Sequence, residues 1–94
     1  ITPIQSVSVI GDGTPGGWDA DTELTRDPNN FLIWSGEVDF TAGEFKFRMN
    51  NGWDINLGGE LGNLQPGAGN MAATPGKHKV TLNLTTVPYT CTIE

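Results

Sequence analysis

The run Glu44-Phe45-Lys46-Phe47-Arg48-Met49 alternates charged and apolar residues without a break. Successive side chains of an extended chain point to opposite faces, so Phe45, Phe47 and Met49 turn one way while Lys46 and Arg48 turn the other. No part of the chain carries the 3.6-residue apolar spacing of an amphipathic helix. The two-residue alternation, by contrast, recurs between clusters of Gly, Pro, Asn and Asp. Val7 and Val9 share a face, as do Leu32, Trp34, Val38 and Phe40 around Gly36. Val80, Leu82 and Leu84 form a further inward set, and Tyr89-Thr90-Cys91-Thr92-Ile93 closes the chain. Asn51-Gly52 accepts positive φ at both positions, which predicts a two-residue turn pairing 44–50 with 53–57. Six to eight short antiparallel strands in 94 residues predict an all-β fold, an immunoglobulin-like β-sandwich forming one domain over 1–94. The stretch from Gly58 to Gly76 reads as irregular, and long connections in compact domains carry function.

Composition removes several functions. The net charge of -6 rests on 11 acids against five Lys and Arg. Nucleic acid is not expected as a partner, because its binding is driven by clustered basic residues displacing counterions. Cys91 is the single cysteine, so no internal disulfide forms, and its register with Tyr89 and Ile93 predicts a small buried thiol. With one thiol and one imidazole, His78, no zinc set can be assembled. His78 reads as a surface residue at a strand start.

Gly11, Gly13 and Gly16 fall on the G-x-G-x-x-G spacing. A phosphate loop needs a helix to begin there, and Thr14-Pro15-Gly16-Gly17 does not start one. Asp12, Asp19, Asp21 and Glu23 lack the alternating ligand pattern of a calcium loop, and a looser calcium site is the alternative reading of these acids. A single His without a nucleophile elbow gives no triad. No catalytic residue, metal or cofactor is expected, and the domain is read as non-enzymatic.

The tryptophans sort by register. Trp34 alternates with Leu32 and Val38 and belongs to the core. Trp18 follows two glycines on a loop and precedes acids, while Trp53 begins a strand beside Asn50, Asn51 and Asp54. An exposed indole next to amides and cations suits a pyranose ring, whose C–H face stacks on the aromatic while its hydroxyls meet polar side chains. Lys46 and Arg48 would stand near Trp53 across the hairpin. The alternative is the solvated face of an edge strand.

The order of "VIGDG", "GGW", "FLIWSGEVDFTAGEFKFRMNNGWDINLGG", "GAGNM" and "PGKHKVTLNLTTVPYTCTIE" resembles the carbohydrate-binding domains of SusE and SusF. These are outer-membrane lipoproteins of bacterial starch-utilisation systems. The resemblance spans nearly the whole chain, and it departs where His78 stands in place of an aromatic. It implies a non-catalytic β-sandwich, itself soluble, in tandem with others in a longer lipid-anchored chain on the outer face of a Gram-negative cell. It further implies an oligosaccharide or polysaccharide ligand, α-glucan preferred, and association with an outer-membrane glycan-transport complex. The stacking aromatic of the "GGW" motif falls on Trp18, the hydrogen-bonding lysine on Lys46, the second aromatic on Trp53 and the amide on Asn70. Arg48 is an auxiliary. The alternative function is a structural spacer or protein-docking sandwich without a working sugar site.

Overall fold

The computed structural model describes residues 4–94. Those residues form ten strands and no helix: β1 (Val7–Gly11), β2 (Gly17–Glu23), β3 (Thr25–Asp27), β4 (Asn30–Phe40), β5 (Glu44–Met49), β6 (Asn56–Glu60), β7 (Asn63–Pro66), β8 (Met71–Ala72), β9 (Gly76–Asn83) and β10 (Thr90–Ile93). Two antiparallel sheets pack together as the expected sandwich. One runs β2-β1-β5-β6-β7 with β8 also paired to β5; the other runs β10-β9-β4-β3.

Strands number ten rather than six to eight because β2, β7 and β8 carry no usable alternation. β2 is an edge strand whose residues are exposed or half-buried. β7 and β8 interrupt the stretch expected to be irregular, and they form through backbone pairing with β6 and β5.

Where alternation is strong, the cause is burial. Val7, Val9, Phe45, Phe47, Met49 and Leu57 from the first sheet meet Trp34, Val38, Phe40, Val80, Leu82, Leu84 and Cys91 from the second. Phe40 and Phe45 touch across the two sheets with ring centroids 5.0 Å apart, and Phe47 stands edge-on to Phe45 at 5.9 Å. Each large side chain so buried contributes about 1.5–3 kcal/mol. Trp34 is in the core as expected, with the Arg26 guanidinium 4.5 Å from its ring centroid. Leu32 differs: it lies at the open end of β4 and is 47% exposed. His78 also differs from the surface reading. Its pairing with Val38 turns it to the inner face, where its ring is 6.2 Å from that of Phe40.

The hairpin after β5 is shifted from its expected position. Positive φ occurs at Asn50 and Asn51, and Gly52 donates its N–H to the Met49 carbonyl at 3.2 Å, closing the turn one residue early. The Asn50 carboxamide oxygen accepts from the Gln5 and Ser6 amides, which fixes the turn to the chain entering β1. Pairing resumes only at Asn56, opposite Arg48, so Trp53 sits on the hairpin loop and not in a strand.

The glycines that spell a phosphate motif have a packing role. A Cβ on Gly11, whose φ is +148°, would lie 2.1 Å from the Glu44 carbonyl oxygen. The close approach of β1 to the start of β5 excludes a side chain there.

Candidate functional site

Register assigns the faces of the six-stranded sheet. Val9, Phe47, Leu57 and Pro66 lie in one cross-strand row, and Val9, Phe47 and Leu57 belong to the core. The adjacent row of Glu23, Ser8, Arg48 and Asn56 therefore points outward, as does the pair Ile10 and Lys46. Glu44, Lys46 and Arg48 follow one another along this outer face at intervals of roughly 6.8 Å.

At the Arg48 end, two indoles come together. Trp18, near the start of β2, and Trp53, on the hairpin loop, have ring centroids 6.0 Å apart and planes inclined at 36°. They are 39% and 48% exposed, whereas Trp34 is 4% exposed. Trp18 reaches this position from a strand and not from the loop expected for it, because β2 pairs with β1 from Gly17 onward.

Beneath Trp53 lies Arg48, its guanidinium carbon 5.0 Å from the ring centroid. Two parallel bonds hold that guanidinium: Nε donates to Asp21 Oδ1 at 2.6 Å and Nη2 to Asp21 Oδ2 at 2.8 Å. The pair reaches across β1 above Ser8, whose short hydroxyl donates to Asp21 Oδ1 at 2.6 Å. Asn51 donates to Asp21 Oδ2 at 3.0 Å and to Glu23 Oε1 at 2.6 Å, joining the hairpin turn to β2. Both members of the ion pair are largely withdrawn from water, at 12% side-chain exposure each. The Arg48 hydrogen bonds hold the Asp21 carboxyl well below the ordinary carboxylate range against the opposing effect of burial, with Ser8 and Asn51 assisting. The same hydrogen bonds raise Arg48.

A group whose pKa is lowered on folding adds stability that is complete above its unfolded value, about 4. That stability is lost as pH falls through the folded value. Asp21 is therefore expected to make wild type more stable than Asp21→Asn at pH 7, with the gap narrowing below about pH 4. Thermal melts of both proteins between pH 7 and 2.5 check this; a gap constant across that range would contradict it.

Lys46 lies one step further along β5. It faces outward as expected, yet it is only 8% exposed. The segment 67–70 covers that part of the sheet: Gly59 donates to the Gly69 carbonyl at 2.8 Å. A Cβ on Gly58 would lie 2.2 Å from that same carbonyl and 3.0 Å from Lys46 Cε, so Gly58 is where β6 makes room for both. Lys46 Nζ donates to Asn56 Oδ1 at 2.6 Å, and Asn56 Nδ2 donates to the Trp53 carbonyl at 3.0 Å. Loss of hydration lowers the Lys46 pKa from the ordinary lysine value. Asn70 marks the far end, where its carboxamide donates to Glu44 Oε1 at 3.4 Å.

Of the residues singled out from sequence, Trp53 touches both Trp18 and Arg48, Lys46 is linked to Trp53 through Asn56, and Asn70 is bonded to Glu44, two strand steps from Arg48 on β5. Sequence reasoning missed Asp21, Ser8 and Asn56. The register of β1, β2, β5 and β6 would have found them, but those long-range pairings are not written in any local motif.

The other chemistry-bearing side chains stand apart. Burial pushes the Cys91 thiol up to about 12, far from the thiolate that a nucleophile needs. Asp12 accepts from the Glu44 amide at 2.8 Å, and among the described residues no three His, Cys, Asp or Glu side chains converge as metal ligands. A recess of about 210 Å3 lies between the sheets at the Phe45 end, lined by Phe40, Phe45, Leu61, Ala72, Thr74, His78 and Ile93. It offers little polar chemistry besides Thr74 and His78, whereas the outer face combines aromatic surface with cations, amides and carboxylates. No family model, curated protein or solved structure matches this chain.

Proposed function

We propose that this domain is a non-catalytic glycan-binding module whose ligand lies along the outer face of the six-stranded sheet. The observation that carries the reading is the indole pair, exposed and inclined on a surface otherwise built of polar groups. Apolar C–H faces of sugar rings stack on Trp18 and Trp53. Lys46 is 8% exposed beneath 67–70 and gives one ammonium hydrogen to Asn56, so a ring hydroxyl meets it only at the small part of the side chain that the segment leaves open. Asn70 supplies a carboxamide at the distal end. Arg48 belongs to the platform itself, since its Nε and one Nη2 hydrogen are taken by Asp21.

An α-glucan is the leading ligand, and the setting is the exterior face of a Gram-negative outer membrane. There the parent lipoprotein delivers glycan to a transport complex. This part of the reading rests on the resemblance to SusE and SusF domains, with which the inclined pair of aromatics is compatible: consecutive rings of a curved chain are themselves inclined. Stacking and a few solvated hydrogen bonds, less the ordering costs, leave about 4–8 kcal/mol, or millimolar to micromolar dissociation constants. Tandem domains raise the effective affinity without any new contact.

A panel of neutral α- and β-linked oligosaccharides, maltoheptaose included, tests this by tryptophan fluorescence. Saturable binding with a blue shift of the exposed-indole emission is expected, strongest for an α-glucan. A panel on which no glycan binds at millimolar concentration would leave the domain a spacer or docking sandwich.

A further inference from the structure

Trp53 stands on a hairpin loop between Met49 and Asn56 rather than in a strand, and an exposed side chain on such a loop has many orientations open to it. Its angle to Trp18 needs a cause outside its own backbone. One side of its ring is occupied by the Arg48 guanidinium at 5.0 Å. That guanidinium is itself fixed, because a two-point bond to a carboxylate defines its plane as well as its position. The carboxylate is fixed in turn by Ser8 and Asn51, at 2.6 Å and 3.0 Å. A rigid chain thus runs from β2 over β1 to β5 and up to the indole.

We propose that Asp21 is a positioning residue of the shelf: by locking the Arg48 guanidinium in place against Trp53, it pre-forms the inclined indole pair before any ligand arrives. The inference rests on the glycan-binding reading for its biological meaning, but the geometry it describes exists without ligand. Asp21 reaches the sugar only through Arg48 and Trp53. Its effect on affinity is one of pre-organisation, because a platform already ordered loses less freedom on binding.

The test compares wild type with Asp21→Asn, which keeps the size of the side chain and removes its charge. Two indoles 6.0 Å apart couple their transitions and give a paired circular-dichroism signal that depends on their mutual angle. Asp21→Asn is expected to lose most of that signal in the absence of ligand, and to bind the best glycan of the panel about tenfold more weakly. Arg48→Lys, which keeps the positive charge but not the planar two-point plate, is expected to behave likewise, and it decides the matter should Asp21→Asn fail to fold. An unchanged dichroism signal in a folded variant overturns the proposal, whether affinity is kept or lost; loss of affinity alone would make Asp21 a direct ligand contact. If wild type binds no glycan, the dichroism comparison still decides the positioning claim, while the functional reading fails separately.

Discussion

Replacing Phe47 by alanine is expected to destabilise the domain by about 3–5 kcal/mol, the range for removing a fully buried aromatic ring. Phe47 has no exposed surface. It sits at the centre of β5, the strand that pairs with β1, β6 and β8, and its ring stands against Phe45. The cost within that range depends on how far the neighbouring side chains relax into the space left by the ring. Against a total of about 5–15 kcal/mol for a domain, the loss is a large fraction of all the stability present. Urea denaturation followed by the buried Trp34 measures it. Phe31→Ala is the matched control, because Phe31 is 71% exposed and its removal is expected to cost no more than about 0.5 kcal/mol. A Phe47→Ala loss below about 1 kcal/mol would contradict the packing of the two sheets over this ring.

The second large effect concerns binding and leaves the fold alone. Trp18→Ala and Trp53→Ala should each weaken glycan affinity by about 2 kcal/mol or more, the loss typical of a central aromatic contact and roughly 30-fold in dissociation constant. From a millimolar-to-micromolar start, that places the variants at or beyond the limit of detection. Both indoles are substantially exposed, so melting temperatures should move little. Isothermal titration beside a thermal melt separates the two effects. Retention of affinity in both variants would move the ligand to another surface.

These expectations divide according to how far each feature was legible in the sequence. The sandwich core was readable because β5 and β9 each carry an unbroken alternation, and β4 one broken only at Gly36, that a half-buried strand explains. Trp34 and Cys91 could be placed inside by register alone, and both are buried. The hairpin was readable as a hairpin but not in its register. In Asn50-Asn51-Gly52 any adjacent pair accepts positive φ, and the choice was made by the Gln5 and Ser6 amides bonding the Asn50 side chain. β7 and β8 were hidden because their glycine- and alanine-rich neighbourhood has too few apolar side chains to show a period.

The site was legible in its members and not in its wiring. Trp18 stood out as an indole without apolar neighbours, whereas Trp53, at an expected strand start, could face either way; the two meet. Lys46 and Arg48 were correctly assigned to the outer face, but nothing near them in sequence shows that 67–70 folds over the lysine. Nor does it show that Asp21, 27 residues away, captures the arginine. Alternation gives the face of a side chain; only the tertiary pairing gives its partner. Arg48, which reads from sequence as an auxiliary sugar contact, is tied to Asp21 and stands against Trp53.

The most direct measurement is two-dimensional NMR of the three indole N–H groups during titration with maltoheptaose and the other oligosaccharides of the panel. The signals of Trp18 and Trp53 should shift together and saturate, while that of Trp34, enclosed in the core, holds its position. A glycan that binds and leaves both surface indoles unmoved, or a panel in which none moves them, would contradict the shelf as the seat of recognition.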